Sequence, residues 1–222
     1  MKTKLILAGI AALLTAPFAA HGADLPQPYK APAYVAPAVP SWSGFYIGIN
    51  GGYGWGTSDW DHPAGLGLKP AGGLAGGTIG YNFQTGSWVW GIEADFDWSG
   101  MKDSKACGLG TCETKNDWLG TARGRIGYAG WNNWLPYITG GAAFGDVKAD
   151  NSLSGSTASK TQLGWTAGLG VEYALRANWS VKVEYLYADL GKFDCGTSCS
   201  VVTPDDVSFK TNIVRAGVNY RF

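Results

Sequence analysis

Four cysteines, one loop histidine and a set of regularly spaced charges are the residues that could do chemistry in this 222-residue sequence. Cys107 and Cys112 bracket Gly108-Leu109-Gly110-Thr111, and Cys195 and Cys199 bracket Gly196-Thr197-Ser198. In an oxidising compartment such close pairs read as local disulfides, 107–112 and 195–199. Pairing across the two loops stays open, and so does a four-thiolate zinc site. Export favours the disulfides, so no metal is expected. His62 stands beside Asp61. Catalysis would need a nucleophile or an acid placed against it, and a lone loop histidine is more often a solvated surface residue. No catalytic residue and no enzymatic activity are therefore expected. The glycines form no strand-loop-helix cradle for a phosphate, and no cofactor is expected.

The charges carry more information. Glu93, Asp95 and Asp97 recur every second residue, as do Arg123 and Arg125, and Lys182 and Glu184. In a strand that spacing puts each set on one face. Glu172, Arg215 and Arg221 fall on the matching face of their own segments. The set holds five acids and five bases. It could form an ion pathway or binding site, or a salt-bridge network that plugs an interior. Isolated buried charges cost several kcal/mol each, so pairing is expected. A small barrel is just wide enough for its side chains to fill, which favours the plug.

Those faces exist only if the chain forms strands of the right length. From Trp42 onward, apolar and small residues alternate in eight segments, approximately 43–56, 73–84, 88–98, 117–129, 134–146, 161–174, 179–190 and 208–222. Most are far longer than the 5–6 residues of an average soluble strand. They suit the roughly 9–11 residues of a tilted membrane strand. Tight turns (85–87, 130–133, 175–178) join segments two to three, four to five and six to seven. Long polar stretches, roughly 57–72, 99–116, 147–160 and 191–207, make the other four connections. Short turns at one end and long loops at the other predict an all-β fold: an eight-stranded antiparallel up-and-down transmembrane β-barrel. An even strand count puts both termini on the short-turn, periplasmic side.

Composition excludes the competitors. Lys plus Arg and Asp plus Glu both number 17, so there is no cationic excess and no nucleic-acid partner is expected. Aromatics at 14% argue against disorder, and 34 glycines argue against helices. In a soluble barrel the apolar face would point inward and the polar face would carry many Lys and Glu. Here the polar face is mainly Gly, Thr and Ser with a few charges. The aromatics gather at strand ends: Phe45, Phe83, Trp88, Tyr128, Trp134, Tyr173, Trp179 and Phe222 near the short turns, and Trp55, Trp98, Trp118, Phe144, Trp165 and Tyr187 near the loops. Two such rings are the girdles of a membrane barrel.

The start of the chain fits export. Lys2 and Lys4 precede an apolar run, Leu5 to Leu14, and small residues precede a cut after Gly22 or Ala23. Residues 1–22 are expected to be a signal peptide. Residues 23–41, with Pro26, Pro28, Pro32, Pro37 and Pro40, read as an extended periplasmic segment. The barrel follows at 42–222.

At this point the sequence resembles the small eight-stranded outer-membrane barrels of alphaproteobacteria, surface antigens described as porin-family or outer-membrane β-barrel domain proteins. The resemblance is carried by Trp42-Ser43-Gly44-Phe45-Tyr46-Ile47-Gly48, Gly77-Thr78-Ile79-Gly80-Tyr81-Asn82-Phe83-Gln84, the stretch from Trp118 to Tyr128, Pro136-Tyr137-Ile138-Thr139-Gly140-Gly141, and Tyr220-Arg221-Phe222. It implies an integral protein of the Gram-negative outer membrane with a structural, antigen- or adhesion-type surface role. It implies that Tyr220 and Phe222 belong to a terminal signal read by the outer-membrane assembly machinery. Lipid and lipopolysaccharide would be its surroundings, and a host or cell-surface ligand could meet its loops. The barrel runs to the last residue, so no peptidoglycan-binding domain is expected after it. A narrow channel for ions or small solutes is the competing reading of the charged lumen.

Overall fold

The computed structural model describes residues 41–60, 66–107, 110–151, 156–176, 178–194 and 206–222. Nine strands account for nearly all of them: β1 (Gly44–Trp60), β2 (Leu66–Leu68), β3 (Ala71–Thr85), β4 (Trp88–Cys107), β5 (Gly110–Tyr128), β6 (Trp134–Asn151), β7 (Ser156–Arg176), β8 (Trp179–Asp194) and β9 (Asp206–Arg221). Every pairing is antiparallel. β1 and β3 to β9 pair in chain order, and β1 also pairs with β9 from Tyr46↔Arg221 to Trp60↔Val207. The sheet therefore closes on itself as an eight-stranded up-and-down barrel. β2 is an extra three-residue strand on the loop-end extension of β1.

At the short-turn end the strands stop within about three residues of the positions set by the alternation. Thr85 and Trp88 are joined through Gly86, whose positive φ of 59° suits a two-residue hairpin turn. At the loop end the strands run several residues further than the sequence suggests. The stretch 99–116, expected to be a long loop, is mostly a hairpin: β4 and β5 pair up to Cys107↔Gly110. The stretch 147–160 likewise continues β6 and β7 to Asn151↔Ser156. Polarity misled here. Strand pairing needs only backbone partners, and beyond a membrane both faces can be polar. Register shifts between Trp98 and Met101 on β4 and between Asn116 and Leu119 on β5 mark where the extensions leave the barrel proper.

The inward and outward faces alternate as the sequence predicts. On β4, Val89, Glu93, Asp95, Asp97 and Met101 are buried, while Trp88, Trp90, Ile92, Phe96 and Trp98 are exposed. The exposed side chains are the apolar ones, the inverse of a soluble barrel. Ring contacts join strands at both ends: Trp88–Tyr128, Trp134–Tyr173 and Trp179–Tyr220 near the short turns, and Phe96–Trp118, Trp118–Phe144 and Trp165–Tyr187 near the loops. From Trp88 to Trp98 a strand rises roughly 33 Å at about 3.3 Å per residue. Tilted by about 40°, it spans about 25 Å, the height of an outer-membrane apolar band. Ile92 sits between the two rings and is 69% exposed. Ile92→Arg is expected to destabilise the protein in lipid vesicles by about 2–4 kcal/mol. A urea titration read by tryptophan fluorescence checks this, and an unchanged midpoint would contradict a lipid-facing position.

The reading of 1–22 as signal peptide, that of 23–41 as periplasmic segment up to residue 40, and His62, Cys195 and Cys199 lie outside the described residues. So do the side chains of Cys107 and Cys112, and with them both disulfide pairings.

Candidate functional site: the lumen

The barrel interior is stacked in three layers, and the same order recurs on successive strands. At the short-turn end Trp42, Val89, Ala129, Leu135 and Ala174 form an apolar cluster. At the loop end Leu68, Leu74, Met101, Leu119, Ala143, Val147, Leu186, Ala188, Leu190, Phe209 and Ile213 form a second one. The charges lie between them. On β8 the sequence Lys182, Glu184, Leu186, Ala188, Leu190 passes from the charged layer into the upper cluster in steps of two.

The charges expected to share the lumen meet in a network. Arg123 binds Glu93 at 2.5 Å, Asp95 at 2.7 Å and Glu184 at 3.0 Å. Arg215 reaches across from β9 to Asp95 at 3.0 Å, Asp97 at 2.6 Å and Glu184 at 2.8 Å. Lys182 donates to Glu93 at 2.9 Å. Arg125 binds Glu172 at 2.7 Å, and its guanidinium lies 4.1 Å from the centre of the Tyr137 ring and 5.7 Å from that of Tyr46.

Arg221 lies toward the short-turn end, where Glu172 is the carboxylate that acts on it. Its guanidinium is 5.1 Å from the centre of the Trp42 ring. All five acids and five bases that the sequence assigns to the inward face are buried in the barrel. Neutral donors meet part of the remaining acceptor capacity. The Tyr46 hydroxyl donates to Glu93 at 2.8 Å and the Tyr137 hydroxyl to Glu184 at 3.2 Å. Thr121 donates to Asp95 at 2.7 Å, and Ser180 and Asn219 donate to Glu172 at 2.5 and 3.0 Å. Such donors are what a buried carboxylate needs.

Sequence reasoning missed these neutral donors and both apolar clusters. Tyr46 and Tyr137 occupy inward positions of their strands, but aromatic residues draw attention to the girdles. Leu68 and Met101 fall in stretches that read as loops. Trp42 stands just ahead of the first strand, as expected, but its burial in the short-turn mouth is not legible in the sequence; its backbone N–H donates to the Gln84 side chain at 2.8 Å.

Tyr220 and Phe222 face outward at the seam. Phe222 is exposed, contacts the Tyr220 ring, and donates its N–H to the Phe45 carbonyl at 2.9 Å. The last residue is therefore part of barrel closure. Among the described residues no group of three or more metal-ligating side chains is placed to hold a metal ion.

An apolar outer wall with two aromatic rings, closed around an ionic interior, defines an integral outer-membrane β-barrel. The family described as "Outer membrane protein beta-barrel domain" matches residues 10–222, and the chain belongs to it. It is 38% identical over 239 residues to the 31 kDa outer-membrane immunogenic protein of Brucella melitensis, with 98% of each chain covered. It is 36% identical over 205 residues to the 25 kDa outer-membrane immunogenic protein of Brucella canis, covering 92% of this chain and 90% of the relative. Its fold is similar to that of Neisserial surface protein A, with a TM-score of 0.50 at 19% identity over 81% of this chain and 98% of the other. The protein resides in the outer membrane of a Gram-negative bacterium.

Proposed function

We propose that this barrel is a closed structural scaffold that displays its loop end at the cell surface, in an antigen- or adhesion-type role, and does not conduct. The observation that carries the reading is the layering of the lumen. An ion would have to cross two apolar clusters and a paired charge layer in which the guanidinium and ammonium groups already hold carboxylates. Two relatives are named as immunogenic outer-membrane proteins, which fits display of the loops. On this reading no catalytic step is involved, residues 1–22 direct export, and Tyr220 and Phe222 are presented to the assembly machinery. Host or cell-surface ligands would meet the outer hairpins, since variable segments on a rigid scaffold are where binding is placed.

One observation favours a conducting lumen instead. Buried polar atoms, among them Asn50 Oδ1, Asp97 Oδ1, Arg123 Nε and Arg125 Nε, have no protein partner among the described residues. Such atoms invite water. Planar-bilayer recordings of pure refolded protein separate the two readings. The closed scaffold gives a flat baseline at voltages that open ordinary porins. Reproducible unit steps, abolished when the protein is omitted, would overturn it.

A further inference from the structure

Just above the loop-end girdle, three lysines stand side by side on the outer face. Lys102 on β4 is the register partner of Lys115 on β5, and Lys115 is the register partner of Lys148 on β6. Their chain neighbours Met101, Thr114, Asn116 and Val147 point inward and are buried, so all three lysines point outward. Lys102 is exposed, and the side chains of Lys115 and Lys148 keep 43% and 35% of their surface. Like charges placed directly opposite one another destabilise a sheet. Elsewhere on the barrel the favourable arrangement occurs, Asp189 opposite Lys210.

The acids nearby do not neutralise the row. Asp117, at the β5 register shift, holds Lys115 at 2.7 Å and Lys148 at 2.6 Å. Asp146 lies 3.7 Å from Lys148. The hydrogen bond that Lys148 donates to the Asp117 carboxylate also holds its ammonium above its ordinary pKa. Asp103 is turned away, accepting from the Lys69 and Ser104 backbone N–H groups. Glu113 stands two residues further out on β5. Lys102 has no ion pair among the described residues. Asp117 thus fixes two ammonium groups side by side, and Lys102 completes the row. Groups held in place before binding lose little freedom on binding.

The height of the row suits a lipid headgroup. Lys102 lies four residues beyond Trp98, Lys115 three beyond Trp118 and Lys148 four beyond Phe144. At about 3.3 Å per residue and about 40° of tilt, that is roughly 8–10 Å above the girdle. The polar layer of a leaflet is about 5–8 Å deep, and a lysine can bend its stem back toward it. We infer that Lys102, Lys115 and Lys148 form a clamp for the phosphate groups of outer-leaflet lipopolysaccharide. The inference rests on the outer-membrane location and is independent of whether the lumen conducts.

The test compares refolded wild type with the Lys102→Gln/Lys115→Gln/Lys148→Gln variant in detergent. The readout is native mass spectrometry of bound lipopolysaccharide, intact or enzymatically dephosphorylated. A basic side chain near an anionic headgroup contributes about a fivefold gain. With Asp117 sharing two of the lysines, the variant should bind intact lipopolysaccharide about tenfold more weakly. The difference should vanish with the dephosphorylated form, and arginine at all three positions should restore binding. Lys102→Gln alone, which breaks no ion pair among the described residues, should lose about threefold and serves if the triple variant fails to fold. Undiminished binding by the variants would overturn the clamp. So would an equal loss with dephosphorylated lipopolysaccharide, or full displacement by an equimolar amount of phosphatidylglycerol.

Discussion

Replacing Arg215 with methionine should destabilise the barrel by about 3–5 kcal/mol, the cost of leaving buried charge without its partner. Arg215 is the residue that ties the seam to the far wall. It stands on β9, beside the closing strand β1, and reaches Asp95 and Asp97 on β4 as well as Glu184 on β8. Asp95 and Glu184 would keep Arg123. Asp97 would lose its ion pair and be left buried between the charge layer and the upper apolar cluster. Methionine has a similar stem and no charge, so the loss reports charge rather than volume. Arg215→Met/Asp97→Leu should recover a large part of it, because replacing a whole buried pair is often near neutral. The non-additivity of that cycle measures the coupling. Urea unfolding in vesicles, with unboiled gel migration as a check on the folded band, gives the values. A loss under about 1 kcal/mol would mean that water screens the layer, as it would in a conducting lumen. Bilayer recordings and this stability measurement thus test the same closed interior by independent routes.

The parts of this protein that the sequence reveals are those governed by a period of two. Alternation alone places Glu93, Asp95 and Asp97 inside and Trp88, Trp90 and Ile92 outside, because a closed wall gives each strand only two environments. Tight turns such as Thr85-Gly86-Ser87 fix the short-turn end, because Gly86 supplies the positive φ a two-residue hairpin needs. The loop end is harder to read. Polar residues such as Asp103, Ser104 and Thr114 look like loop, yet they pair as strand, because the backbone supplies the bonds. The charge network was visible as a set of faces but not as a set of partners. Which base meets which acid depends on register and on reach across the lumen. Arg221 shows the limit: it shares the inward face of Arg215 but sits six residues along the strand, where its guanidinium lies over the Trp42 ring, a contact that no spacing in the sequence announces. The lysine row is invisible in sequence for the same reason. Lys102, Lys115 and Lys148 become neighbours only through pairing across three strands, past the register shifts on β4 and β5.

Gly52→Val and Gly76→Val should each prevent closure, or destabilise the barrel by about 3 kcal/mol or more, whereas Gly77→Val should change stability by less than about 1 kcal/mol. The three positions have the same composition and similar surroundings in sequence; they differ in the face they occupy. Gly52 on β1 is the register partner of Arg215, and a Cβ there would come within 2.6 Å of the Arg215 Cβ and 2.7 Å of its Cα. Gly76 on β3 is the register partner of Asp97, and a Cβ there would come within 2.6 Å of the Asp97 Cα. Backbone atoms cannot swing aside as a flexible side chain can. Relief would require moving β1 from β9 or β3 from β4, and in a closed ring every such movement must be absorbed by the other strands. It would also shift Arg215 or Asp97, whose 2.6 Å ion pair crosses the lumen. Gly77 faces outward, and the nearest atom to its Cβ would be a carbonyl oxygen at 3.7 Å, an ordinary contact. A β-branched residue suits that position. The compact, faster-migrating band on unboiled gels reads closure directly. Equal behaviour of all three variants would mean that the glycines serve backbone freedom. The expected split would mean that the inner glycines are a steric requirement, leaving the lumen space in which arginines and carboxylates meet.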